Sequence, residues 1–191
     1  KAAGLTGITL SLDHFTPELH DHFRGVKGSF KKTVQATQLA RDAGLMVCLS
    51  ICTTKEFTTK ENLTQYTNLA KDLGVSFIQF LEPKAVGHFT GQDVLLQNHH
   101  KKILADFFLS YNYHPDYPTH PIISYHGFVT SKFGCSGSGR DYVYVDTDGD
   151  VHNCPFCQRK LFSALDENLK DNILGMKEKG CQLVSNISAK N

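Results

Sequence analysis

Three short apolar runs, at residues 8–12, 46–52 and 75–81, are separated by two segments of helical periodicity. This rhythm constrains the fold more than any other feature. Ile8-Thr9-Leu10-Ser11-Leu12 reads as a strand, and the second and third runs read likewise. Between them, residues 29–43 place Phe30, Val34, Leu39, Ala40 and Ala43 near helical spacing, with Ser29 as a candidate N-cap and Gly44 as the stop. Residues 60–73 repeat the pattern with Leu63, Tyr66, Ala70 and Leu73, and Gly74 ends it. Strands recurring roughly every 30–38 residues with a helix between predict βαβ units and a parallel sheet. Three parallel strands do not close a barrel, and an eight-unit barrel needs about 250 residues. The reading is therefore an open α/β segment whose first strand lacks a neighbour. An exposed parallel edge is a liability, and with no initiating Met the expectation is that residues precede Lys1.

Residues 83–140 are less regular. Residues 94–111 read as one helix through Leu96, Ile103, Leu104, Phe107 and Phe108, and the stretch with Pro115, Pro118 and Pro121 reads as a loop. Beyond Gly134 the chain becomes rich in glycine and cysteine. Tyr142-Val143-Tyr144-Val145, the turn Asp146-Thr147-Asp148-Gly149 and the return at residues 150–153 predict a β-hairpin, with Gly149 free to take positive φ. Residues 165–179 predict a closing helix with Leu165, Leu169, Ile173 and Met176 on one face.

Charge and composition remove several function classes. Twenty Lys+Arg against nineteen Asp+Glu leave a net charge of +1, so no basic field recruits nucleic acid or anionic lipid. No apolar run is long enough to span a membrane, and residues 1–5 carry no signal-peptide core. Six cysteines in 191 residues fall far below disulfide-scaffold density, which favours a cytoplasmic chain.

Cys154-Pro155-Phe156-Cys157 is a C-x2-C knuckle directly after the hairpin, with Cys135 before it and Cys181 after the last helix. Two thiolates from one turn plus others from elsewhere suit zinc or an iron–sulfur cluster. A redox C-x-x-C would instead open a helix inside a βαβ unit. Cys181 is the outlying member, and packing alone is its other reading. Cys48 and Cys52 share one strand face with Ser50; they read as buried small hydrophobes, or as the lining of an active cavity.

With these residues in view, the sequence resembles the radical S-adenosylmethionine enzymes, and more narrowly those with a C-terminal auxiliary-cluster domain of the SPASM or twitch type. One stretch is Ser11-Leu12-Asp13, then His20-Asp21-His22-Phe23-Arg24-Gly25, then helix, strand, helix and Phe77-Ile78-Gln79-Phe80-Leu81-Glu82-Pro83. It is similar to strands four to six of that family's partial barrel. The other is Cys135, thirteen residues, Gly149, four residues, Cys154, which fits the family's C-x(9–15)-G-x4-C signature.

The resemblance implies an α/β fold. Residues 1–83 are the C-terminal half of a partial (β/α)6 barrel, 84–134 a connecting helix and loop, and 135–191 a SPASM/twitch-like hairpin-and-helix iron–sulfur module. It implies an enzyme that reductively cleaves S-adenosylmethionine at a [4Fe–4S] cluster and abstracts hydrogen from its substrate through a 5′-deoxyadenosyl radical. Ser11 and Asp13, at a strand's carboxyl end, would hydrogen-bond the ribose or amino group, and Arg24 would fork onto the methionyl carboxylate. Cys135, Cys154, Cys157 and Cys181 would ligate one auxiliary [4Fe–4S] cluster. Implied partners are an electron donor such as flavodoxin or ferredoxin and, by analogy, a peptide or protein substrate. No residue is singled out as catalytic.

Each residue also has a plainer reading: Ser11 and Asp13 as a strand-end turn, Arg24 as a surface arginine, Glu82 as a surface or cavity residue, His20 and His22 as a solvated turn. The family's C-x3-C-x2-C loop occurs nowhere in the 191 residues. The expectation is a C-terminal portion that does not cleave S-adenosylmethionine alone. The competing class is a zinc knuckle in a structural or partner-binding module.

Overall fold

The computed structural model describes residues 1–113, 115, 117, 119–135, 137–157 and 159–179. The chain divides into two compact units, Lys1–Phe128 and Val129–Asn191.

In the first unit, β1 (Gly7–Ser11), β2 (Met46–Cys52), β3 (Phe77–Leu81) and β4 (Ile122–Tyr125) form one sheet in the order β1-β2-β3-β4. All three pairings are parallel, and the register sets Ser11 beside Ser50, Ser50 beside Gln79 and Gln79 beside Ser124. The helices are α1 (Pro17–Arg24), α2 (Ser29–Asp42), α3 (Lys60–Asp72) and α4 (Asn98–Tyr113). Side chains alternate across a strand, so Val47, Leu49, Ile51, Ile78, Phe80, Ile123 and Tyr125 turn to one face. There they join Leu63, Tyr66 and Ala70 of α3 and Leu104, Phe107, Phe108 and Tyr111 of α4 in a single core. Each fully buried Leu or Ile contributes about 1.5–3 kcal/mol. The opposite face carries Thr9, Ser11, Cys48, Ser50, Cys52, Gln79 and Ser124. The Tyr66 hydroxyl donates to the Leu12 carbonyl at 2.7 Å, tying α3 to the end of β1.

The βαβαβ rhythm and the parallel sheet are as the sequence predicts, with four differences. First, Leu39 is 63% exposed and Ala43 is also exposed, whereas Thr37 is fully buried. At about 100° per residue, Leu39 lies opposite Phe30 while Thr37 lies over it. The Thr37 hydroxyl makes its own burial tolerable by donating to the Thr33 carbonyl at 2.9 Å.

Second, α1 fills what reads as a loop, and it caps α2. Asp21, not Ser29, provides the side-chain cap: its Oδ1 accepts from the Ser29 hydroxyl at 2.9 Å and the Phe30 N–H at 2.8 Å, and its Oδ2 accepts from the Gly28 N–H.

Third, β4 is a strand within the irregular stretch. It is only four residues long, but the Asn112 side chain serves as its missing neighbour, donating to the Ile123 carbonyl at 2.8 Å and accepting the Ile123 N–H at 2.9 Å. Fourth, Leu165 is 89% exposed, because α6 (Leu169–Lys179) begins only after a turn held by Asp166, whose Oδ1 accepts the Asn168 N–H at 2.9 Å.

The chain passes through α5 (His126–Phe133) into the second unit. There β5 (Tyr144–Val145), β6 (Asp150–His152) and β7 (Phe162–Ser163) form an antiparallel sheet in sequence order. The β5–β6 turn is the predicted hairpin: Gly149 takes φ +80°, and Asp146 Oδ1 accepts the N–H groups of Asp148 and Asp150. Among the described residues no helix is long and apolar enough to cross a membrane.

Candidate functional site

In a parallel sheet the carboxyl ends of all strands lie on one edge, where loops bring polar groups together. At the ends of β1 and β2 the centre of the arrangement is Asp13. Its backbone N–H donates to His20 Nδ1 at 3.0 Å. Its Oδ1 accepts the Cys52 N–H at 3.0 Å. Its Oδ2 stands 2.5 Å from Arg24 Nε, the aspartate side chain 3% exposed and the arginine 39%. A buried carboxylate depends on its partner, since removing one member leaves the other charge uncompensated. The exposure of Arg24 softens that cost through solvent screening.

His20 is 1% exposed, not part of a solvated turn; His22, two residues on and about 200° around α1, is exposed. Because His20 Nδ1 accepts a backbone N–H, the ring is neutral with its proton on Nε2. Burial lowers its pKa; Asp13 opposes this and Arg24 adds to it.

Ser11, His20, Arg24, Val26, Ser29 and Thr33 line an open cleft of about 280 Å³. Ser11 and Arg24 thus come together on one cleft, and Asp13 lies behind it holding Arg24. A guanidinium has five N–H donors; Asp13 engages Nε, and the terminal nitrogens have no partner among the described residues. The donor set fits a ligand carrying a carboxylate and hydroxyl groups.

Further along the same edge, Glu82 is largely buried. Its Oε1 accepts from the Tyr125 hydroxyl at 2.8 Å and its Oε2 from Lys84 Nζ at 3.0 Å. Burial alone would raise the Glu82 pKa, but the Lys84 charge and the two hydrogen bonds outweigh it, so the group stays an anion. Burial and the Glu82 charge push the Tyr125 phenol up. A side chain at Gly127 would strike Glu82 and the Tyr125 ring. The sequence singles out Glu82 but neither partner, because no clear period marks the strand that delivers Tyr125. On β2, burial and then the Asp13 charge push the Cys52 thiol up to about 11, and burial also raises Cys48. Both are protonated thiols at neutral pH, not nucleophiles.

In the second unit no disulfide joins Cys135, Cys154 and Cys157 to one another. Cys154 is buried, its Sγ lies 3.5 Å from that of Cys157, and the Cys157 N–H donates to the Cys154 carbonyl at 3.0 Å. Cys135 and Cys154 flank Gly137: a Cβ built there would lie 3.4 Å from Cys135 Sγ and 3.4 Å from Cys154 Cβ. Thiolate donors suit zinc or an iron–sulfur cluster. Among the described residues no three His, Cys, Asp or Glu are gathered closely enough to hold one metal ion. Cys181 lies outside the described residues.

No family model matches the chain. Among curated proteins it is similar to an AdoMet-dependent heme synthase of Methanosarcina barkeri, 27% identical over 178 residues, covering 82% of this chain and 50% of the relative. A second such synthase, from Oleidesulfovibrio alaskensis, is 29% identical over 113 residues, covering 56% of this chain and 28% of the relative. The chain spans half or less of the length of these relatives. Among solved structures, Streptococcus suis SuiB bound to S-adenosylmethionine matches with a TM-score of 0.66 at 14% identity, over 91% of this chain and 45% of that one. The likeness to SuiB shows a shared fold, and the two synthases share sequence with part of this chain.

Proposed function

We propose that this chain is part of a radical S-adenosylmethionine enzyme that holds S-adenosylmethionine at the carboxyl ends of β1 and β2. The observation that carries the reading is Arg24, a guanidinium anchored through Nε by a buried carboxylate while it lines a cleft with Ser11. Anchoring one edge of the fork leaves the other donors for a bidentate carboxylate contact, and pre-orients them at little entropic cost. The Ser11 hydroxyl would accept or donate to the ribose. Asp13 acts through Arg24, since its Oδ1 already accepts the Cys52 N–H. When bound next to a reduced cluster, S-adenosylmethionine supplies a strong hydrogen-atom abstractor.

The parallel sheet β1–β4 is then a barrel segment, and residues 135–191 are an iron–sulfur module. In that module Cys135, Cys154 and Cys157, with Cys181, would hold an auxiliary [4Fe–4S] cluster, fed by a flavodoxin or ferredoxin. A peptide substrate is supported by the fold likeness to SuiB, which has been seen bound to the precursor peptide SuiA. One observation favours a zinc reading of the cysteines: the 3.5 Å between Cys154 and Cys157 sulfurs is near the spacing of two thiolates on one tetrahedral zinc, about 3.8 Å for bonds of about 2.3 Å.

The test is calorimetric titration of the anaerobic chain with S-adenosylmethionine. Saturable binding that Arg24→Ala weakens at least tenfold, the scale of a lost charge-assisted hydrogen bond of about 1.5–3 kcal/mol, is expected. No binding, or binding indifferent to Arg24, overturns the site. With no C-x3-C-x2-C motif in the sequence, the reduced chain alone is expected to form no 5′-deoxyadenosine. Its formation would overturn that part of the reading.

A further inference from the structure

The fold uses one ring nitrogen of His20 and leaves the other over. Nδ1 accepts the Asp13 N–H at 3.0 Å, which puts the ring proton on Nε2. The Phe30 ring stands edge-on to the imidazole, centroids 5.9 Å apart at 72°, and fixes its plane. Nε2 has no hydrogen-bond partner among the described residues. Unlike His120 Nδ1, it is also not a sealed-off atom lacking a partner. His20 is 1% exposed and lines the cleft with Ser11 and Arg24. That remaining exposure therefore lies at Nε2, and the Nε2–H opens into the cleft. A ligand that fills the cleft must meet this N–H with an acceptor, because a donor closed off from water without one is a net loss.

The neighbouring donor indicates which acceptor. Arg24 follows His20 by four residues on α1, so the two side chains leave the same face one turn apart. Asp13 sets both of them. Its carboxylate holds Arg24 at Nε, and its backbone N–H holds His20 at Nδ1. The remaining edges of the guanidinium and the imidazole then border one cleft. A charged fork and a neutral donor suit a single carboxylate, whose two oxygens offer about four lone-pair sites. A neutral donor also adds a hydrogen bond without adding a second cation. That favours a ligand which carries an ammonium and a sulfonium beside its carboxylate.

We propose that His20 is a further ligand-binding residue of this cleft, its Nε2–H donating to the same carboxylate that Arg24 grips. The inference rests on reading the cleft as the carboxylate site for S-adenosylmethionine, and it adds to that reading a second donor selective for the carboxylate.

The experiment uses the anaerobic 191-residue chain and calorimetric titration with two probes, S-adenosylmethionine and its decarboxylated analogue. It compares wild type, Arg24→Ala, His20→Asn and His20→Gln. The Asn amide oxygen can stand in for Nδ1 and keep the Asp13 bond, but it leaves nothing where Nε2 was. The Gln amide nitrogen reaches the Nε2 position and loses the Nδ1 acceptor. Wild type is expected to prefer the carboxylated probe about a hundredfold, about tenfold for each donor to a charged group. His20→Asn is expected to lower that preference about tenfold while binding the analogue as wild type does. His20→Gln is expected to keep most of the preference and to unfold at lower urea than His20→Asn. If neither variant folds, magnetic resonance of the wild-type histidine rings decides. The His20 Nε2 signal is expected to move when S-adenosylmethionine is added, and much less with the analogue. A preference that Arg24→Ala abolishes and His20→Asn leaves intact, or a His20 signal that stays in place, overturns the part given to His20 and leaves the cleft reading standing. A wild-type chain that binds neither probe, or shows no preference for the carboxylate, overturns the cleft reading and this inference together.

Discussion

His20 and Asp21 are neighbours in sequence, and both have lowered pKa values, but for opposite reasons. His20 loses solvation on burial, which disfavours its cation. Asp21 gains the Phe30 and Gly28 N–H donors, which favour its anion. For either group the folded state binds fewer protons than the unfolded state just below the group's ordinary value, so stability falls as pH falls. The window for His20 opens below the ordinary histidine value of 6.5 and runs down to its depressed folded value. The window for Asp21 opens below the ordinary aspartate value of 3.8 and runs down likewise. Urea midpoints measured against pH are therefore expected to decline in two steps. His20→Gln should shrink the upper step, to which the likewise lowered His14, His100 and His120 also contribute, and Asp21→Asn should shrink the lower one, shared with Asp146 and Glu82. An upper step unchanged in size by His20→Gln would show that His20 is not held neutral. Neither role is legible from residue type: a His-Asp-His run reads as solvated until α1 turns one histidine inward and leaves the other in water.

At the scale of elements, the strands and helices that repeat with a clear period are legible. Residues 46–52 are read as they stand, and α3 buries the same Leu63, Tyr66, Ala70 and Leu73 that its spacing selects. What escapes is what depends on a distant side chain. The strand β4 exists because Asn112, eleven residues earlier, meets both backbone groups of Ile123, and nothing local to Ile122-Ile123-Ser124-Tyr125 announces that. The candidate site divides the same way. Ser11, Asp13 and Arg24 are suggested by the family resemblance, while the pairing of Asp13 with Arg24 and of Glu82 with Tyr125 emerges only from the folded edge. Asn112→Ala is expected to strand the N–H and carbonyl of Ile123 and cost about 2 kcal/mol, at 1–3 kcal/mol for an unsatisfied buried group. It also uncovers a strand edge on which another chain can pair. Chemical denaturation should show the loss, and sedimentation should show association growing with concentration. An Asn112→Ala chain as stable and monomeric as wild type would mean that β4 does not need its side-chain neighbour.

The whole molecule divides its apolar burial unequally. The connected core belongs to the first unit, from Leu12 to Tyr125. Among the described residues of the second unit, the buried apolar side chains are Val151, Cys154 and Met176. At about 1.5–3 kcal/mol each, that handful does not offset an ordering cost of about 1–2 kcal/mol for every residue fixed. Small domains with so little core ordinarily rely on a metal or disulfides, and no disulfide joins Cys135, Cys154 and Cys157 to one another. On the proposed metal-binding reading of these cysteines, metal contributes to the folding free energy of this unit, and chelation should act on it alone. Hydrogen exchange followed by mass spectrometry is expected to show residues 135–157 protected when metal is loaded and exchanging freely after chelation, with β2 and α3 slow in both. Equal protection of residues 135–157 with and without metal would mean that the hairpin and the two hydrogen bonds from Ser138 to Asn153 suffice, and that the cysteines do not serve the fold through a metal.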